Sequence, residues 1–331
     1  MMKSAFLISL FFVTLFAGCK KSSSHRIQSS RTDVHSILQT MPDQDRAVLD
    51  SFFQLLVRDY DFSYTLFGNK PISMACYSSQ VTLCTFYHPT EFLTFENGWE
   101  LWRHYASCFP SNEFILKRSR DNRGVLEIFL INKRHALQVI SNHLDTFQEI
   151  LNRCIDPQQL LQQLCCSQQD IMEILNNDAT LLGILLGYGK INSANFERKV
   201  NICNHLNAKM TPPFSAHQDM KSLLPVSRNL VSLYDNGTFC YPSEKDCLPS
   251  SQDTSLTEEL NDILSHEDTF EVYGSDFFLD KIIAPVFVAR KDSPETEKLH
   301  EDYLATKQKL HQAYLQRSFL EVTLNQWMDP Q

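Results

Sequence analysis

The chain has 331 residues with 30 basic and 39 acidic side chains, a formal charge of −9, and beyond residue 40 it carries 25 basic against 38 acidic residues, or −13. So acidic a body argues against nucleic acid, whose binding rests on neutralising phosphates. With 43% apolar and 11% aromatic residues the chain is globular rather than disordered, and only nine glycines disfavour glycine-rich nucleotide-binding architectures.

Lys3 is followed by the apolar-rich run Ala5 to Ala17, "AFLISLFFVTLFA". This run is shorter than the about 20 residues a membrane helix needs, and it fits the roughly 7–15-residue apolar centre of an export signal. Residues 1–18 are therefore expected to be a signal peptide. Leu15-Phe16-Ala17-Gly18-Cys19 resembles the lipobox of bacterial lipoproteins, in which the thiol is acylated and the leader is cut before it. Phe16 stands where that pattern more often has Leu or a small aliphatic residue. The resemblance implies lipidation at Cys19, against an ordinary cleaved leader in which Cys19 is incidental. Residues 19–40, "CKKSSSHRIQSSRT" and onward, read as a flexible basic and Ser-rich tether. Lys20 after the cysteine, by resemblance to enterobacterial sorting, permits the outer membrane.

Residues 43–58 place Val48, Leu49, Phe52, Phe53 and Leu56 at helical spacing behind first-turn acids. Two β-prone runs, 62–67 and 71–77, flank Gly68-Asn69-Lys70 and predict a hairpin. A helix follows near 95–107, then a strand pair, "EFILKRS" and "GVLEIFLIN", across residues 120–124. From 133 to 208 the pattern is helical. Leu137, Ile140, Leu144, Phe147 and Leu151 mark one face, and Asp156-Pro157-x-Gln159 and Ser167-x-x-Asp170 predict two N-caps. Residues 209–254, with five prolines, read as a loose excursion. Ser255-x-x-Glu258 predicts a helix to about Leu264, "PVFVAR" (285–290) a strand, and Ser293, Pro294, Glu295 and Glu297 the N-terminus of a long C-terminal helix. The segment 255–331 is expected to pack on the same body as 41–208. The fold class is α+β: a small, mainly antiparallel sheet with many helices.

The last helix carries a seam at Leu299, Tyr303, Thr306, Leu310, Ala313, Arg317, Leu320, Leu324 and Trp327. A coiled coil is one reading. Arg317 interrupts it, and packing on the chain's own body is the preferred one. Cys240 and Cys247, in "CYPSEKDC", form the best local disulfide pair, a loop closure that would stabilise by about 2–3 kcal/mol. Cys154 and Cys203 read as core residues, and Cys165-Cys166 as one buried and one exposed thiol.

No motif of established catalytic type occurs. Gly187-Tyr188-Gly189-Lys190 lacks the longer glycine-rich run and the Lys-Ser/Thr end of a phosphate loop, and reads as a helix-to-helix turn. His104 and Cys108, four apart on a helix, share a face, and Cys76, Cys84 and His88 lie on adjoining elements. Together they are candidates for an activated thiol or a metal, but the further ligands or orienting partner that such sites need are not visible nearby. Core cysteine and surface histidine are the favoured readings; no metal or cofactor is expected.

Two segments, "DFSYTLFGNKPISM" (61–74) and "LLGILLGYGKINSANFERK" (181–199), resemble a group of uncharacterised proteins from chlamydiae and chlamydia-like intracellular bacteria. The resemblance spans roughly residues 43–205. It implies a Gram-negative intracellular source and an envelope in which disulfides are common, and it carries over no activity. The motif residues Tyr64, Gly68, Lys70, Gly187 and Gly189 are of unknown role, and Lys70 is the one whose charge turn geometry does not require. The expectation is a membrane-anchored envelope lipoprotein that binds an envelope or host protein or is structural, with an extracytoplasmic thiol-dependent hydrolase as the alternative.

Overall fold

The computed structural model describes residues 33–77, 89–120, 125–208, 254–270, 282, 284–285, 287–314 and 318–330. The leader, Cys19, Cys84, His88, Arg317, Cys240, Cys247 and the excursion as far as residue 253 lie outside the described residues.

In chain order the helices and strands are α1 (Val34–Thr40), α2 (Asp43–Asp59), α3 (Phe62–Phe67), β1 (Ile72–Tyr77), α4 (Pro89–Tyr105), β2 (Phe114–Arg120), β3 (Leu126–Asn132), α5 (Lys133–Asn142), α6 (Leu144–Leu151), α7 (Pro157–Cys166), α8 (Ile171–Ile174), α9 (Ala179–Leu185) and α10 (Lys190–Ala208). After residue 253 come α11 (Thr254–His266), β4 (Glu267–Phe270), β5 (Phe287–Arg290), α12 (Pro294–Tyr314) and α13 (Phe319–Met328). The fold is α+β, as the sequence implies.

The sheet is antiparallel in the order β1-β3-β2, with Cys76 opposite Glu127 and Ser119 opposite Glu127 across the central strand. β1 and β3 are buried at every position, so helices must cover both faces. The strand period of two sorts the side chains accordingly. Ala75, Tyr77, Leu126, Ile128, Leu130 and Phe114 join the core formed with α1, α2, α3, α4, α12 and α13. Ile72, Met74, Cys76, Phe129 and Ile131 join the core formed with α5 to α9. β4 and β5 make a separate antiparallel pair.

Local chemistry explains several boundaries. Asp156 caps α7 by accepting from Gln158 N and Gln159 N, with Pro157 in the first turn. Asp178 caps α9 through Leu181 N. Gly187 and Gly189 have φ of +78° and +87°, as a helix-to-helix turn requires.

Other expectations are corrected. Residues 62–67 are a helix rather than the first arm of a hairpin. Residues 62–66, Phe-Ser-Tyr-Thr-Leu, alternate apolar and polar as a half-buried strand would, but all five are buried, Ser63 and Thr65 included, so tertiary packing overrides the period. Asp61 in the left-handed region (φ 53°) turns the chain straight from α2 into α3, and Gly68 N–H closes it on Tyr64 O. The tether is shorter than 19–40, because Val34 and Leu38 seat α1 in the core. α4 begins at Pro89, earlier than the apolar spacing implies. Asp170, not Ser167, caps α8, through Met172 N; Ser167 closes α7 instead. Cys154 is exposed rather than core, Cys165 is half-buried and Cys166 exposed.

The C-terminal seam divides between two helices. Tyr303, Thr306 and Leu310 are buried from α12, and Leu320, Leu324 and Trp327 from α13, which starts after Ser318. Their place in the same core as α2 and α3 is the ordinary packing outcome rather than a coiled coil.

Candidate functional site

The two motif segments meet. Asp61, at the α2–α3 corner, and Lys70, just before β1, are both buried, with Lys70 Nζ 3.7 Å from Asp61 Oδ2. Lys70 Nζ donates to Leu186 O and lies 5.0 Å from the centroid of the Tyr188 ring. Leu186 and Gly187 follow the end of α9, where carbonyls have run out of helical partners. Side chains from far along the chain supply the donors: Lys70 for Leu186 O, and Tyr303 OH for Gly187 O at 2.7 Å.

α12 is the third party. Tyr303 packs edge-on against Tyr64, with centroids 5.6 Å apart and rings at 85°. A Cβ on Gly68 would lie 2.3 Å from Thr306 Oγ1, so the glycine lets α12 cross α3 closely. A Cβ on Gly187 would lie 2.7 Å from the Tyr303 hydroxyl, and one on Gly189 2.5 Å from the Glu295 carboxyl carbon. Glu295 accepts from Lys190 N and Ile191 N, both at 2.8 Å, and so caps α10 from another helix. Asn192 extends the joint, its amide donating to Tyr188 O at 2.9 Å and Thr296 Oγ1 at 3.2 Å, while its carbonyl oxygen accepts from Arg290 N at 2.9 Å.

Burial dominates the electrostatics. It drives the Asp61 carboxyl above the usual carboxylate range, with Lys70 pulling the other way. It drives the Lys70 ammonium down, with Asp61 opposing. Burial first and the Asp61 charge second push the Tyr64 and Tyr303 phenols up, so both remain protonated, and Tyr303 donates to Gly187 O.

All five motif residues singled out by sequence, Tyr64, Gly68, Lys70, Gly187 and Gly189, therefore lie at one joint. Asp61, Glu295 and Tyr303 complete it and were missed as site residues. Tyr303 and Thr306 stood in the C-terminal seam as ordinary core positions, and Glu295 as a favourable acid for its own helix. Only the polarity of Thr306 within an apolar seam hinted at a special contact.

Among the described thiol candidates, Cys76 lies apart from His104 and Cys108. Cys76 is buried beneath α5 to α9, its Sγ 4.0 Å from Glu127 Oε1, which Ser119 Oγ joins by donating to Oε2 at 3.2 Å. His104 and Cys108 are exposed at the end of α4, whose Phe95 and Trp102 pack into the core on the other face of the sheet. The structure thus separates Cys76 from His104. The phosphate-loop reading of residues 187–190 also fails physically, since a carboxylate already occupies the amides at the start of α10. Among the described residues no three His, Cys, Asp or Glu side chains are grouped to hold a metal ion, and no helix is long and apolar enough to cross a membrane.

Comparison with protein-family models, curated proteins and solved structures gives no match.

Proposed function

We propose that the protein is a bacterial envelope lipoprotein, anchored through an acylated Cys19 and favouring the outer membrane, whose acidic body binds an envelope or host protein or supports the envelope without catalysis. The observation that carries this reading is the join at Leu15-Phe16-Ala17-Gly18-Cys19, where an apolar run of export-signal length ends on a cysteine and a polar segment begins. The resemblance of the two motif segments to chlamydial proteins fits such an envelope.

The chemistry of the body supports a non-catalytic role. The functional groups of the joint are turned inward: Lys70 and Tyr303 donate to backbone carbonyls, and Glu295 accepts from backbone amides. Groups spent on backbone partners act as struts. The thiol-dependent hydrolase reading would use Cys108 or Cys76 with His104 or His88; of these, Cys76 is buried on the opposite face of the sheet from α4, which carries His104, and an activated thiol needs a base within hydrogen-bond reach.

Intact mass of the membrane-extracted protein, beside a Cys19→Ala variant, tests the anchor. A mature chain beginning at residue 19 with added acyl mass, lost in the variant, is the expected result. An unmodified Cys19 in the membrane-extracted chain contradicts it.

A further inference from the structure

We propose that one water molecule is a built-in ligand of the Asp61–Lys70 site, bridging the carboxylate and the ammonium where α3, the α9–α10 turn and α12 meet. The inference stands on the body alone and is independent of the lipid anchor.

Its main support is an oxygen atom. Asp61 Oδ1 is buried without a hydrogen-bond partner among the described residues, in a side chain that is 3% exposed. The other oxygen, Oδ2, faces Lys70 Nζ at 3.7 Å, within ion-pair range but beyond hydrogen-bond length. Lys70 has three N–H donors, of which one is accounted for by Leu186 O. Ser73 and Lys70 act on the Asp61 carboxyl as hydrogen-bonding groups, and Ser73 Oγ donates to Asp61 O at 3.2 Å, yet Oδ1 still has no partner among the described residues, a costly state for a buried polar atom.

The chemistry of the site selects its ligand. A cation would sit against the Lys70 ammonium and an anion against the Asp61 carboxylate, so the ligand is neutral. It must donate to Oδ1 and accept from Nζ at once, beside the Tyr188 ring that Lys70 faces and the edge-on Tyr64–Tyr303 pair. Water does both in the smallest volume. Buried waters serve otherwise unmatched groups in this way, with about three hydrogen bonds each, and a polar separation beyond about 3.5 Å is their usual setting. A bridging water also favours the ionised form of Asp61, because the carboxylate gains a donor that offsets part of its burial.

The test is a crystal structure of the purified protein at a resolution that places ordered waters, with a water-selective NOE experiment on the same protein in solution. The expected result is a peak at hydrogen-bond distance from both Asp61 Oδ1 and Lys70 Nζ, and an NOE from long-lived water to the Lys70 ε-methylene protons. A map in which Nζ contacts the carboxylate directly, or in which a protein donor satisfies Oδ1, overturns the proposal. So does an empty map at that point, and so does the absence of the NOE.

Discussion

Gly187 holds φ at +78° with the Tyr303 hydroxyl where a Cβ would stand, so both backbone and packing demand glycine there. Gly187→Ala is expected to destabilise the protein by about 2 kcal/mol or more, since the left-handed region alone costs an L-residue about 1–2 kcal/mol. Urea unfolding measures this as a lower midpoint at unchanged slope. His135 and His143 give the body a pH response. Burial lowers both imidazoles below 6.5. His135 is faced by the Asn69 backbone, Arg134, Glu113 and Lys309, and His143 by Glu295 and Lys190. Because the folded values are depressed, unfolding takes up protons in between. Their contribution is present above the unfolded value and lost as pH falls through the folded ones. Thermal unfolding at pH 7.5 and 5.5 should show the midpoint falling more in the wild type than in a His135→Gln/His143→Gln variant, whereas equal falls would assign the response to other groups. Glu197, raised by burial, slopes the opposite way in both proteins.

At the level of elements, α12 does most to hold the joint together. Its first turn caps α10, its middle meets α3, and its end packs Tyr314 against Phe67 and Phe319. Glu295→Ala removes the acceptor for two amides and should cost about 1 kcal/mol, as the loss of an N-cap does. Hydrogen exchange is the sharper readout: the Lys190 and Ile191 amides are expected to exchange faster, while amides in the middle of β3 keep their protection. Unchanged exchange at residues 190–191 would show that Glu295 is not their partner. Elements with local signals were legible in the sequence. Asp156-Pro157 marks the start of α7, and the β2–β3 pair follows from two strand-like runs around a turn. α3 was not legible, because Phe62 to Leu66 alternate apolar and polar as a strand does and a left-handed aspartate, not a glycine, makes the corner. β4 was not legible either: "EDTF" carries no strand pattern, and its place is set by pairing with β5.

For the whole molecule, an α+β body could be read from alternating strand and helix patterns, and both cores follow from strands buried on two faces. The meeting of residues 61–71 with 186–190 could not be read, because contacts across 116 positions leave no local trace. Lys70 was conspicuous only as a charge that the turn did not need. The joint explains the charge: a buried ammonium ties two distant segments together while a buried carboxylate balances it. That is the central claim, and a double-mutant cycle on Asp61→Asn, which suits the left-handed backbone there, and Lys70→Met tests it most directly. Each single change leaves a buried charge alone and should cost about 3–5 kcal/mol. The double variant is expected to lose less than the sum by about 1–3 kcal/mol, the coupling of residues that share one site. Additivity within about 0.5 kcal/mol would mean that the two side chains act independently, and the joint as described would be wrong.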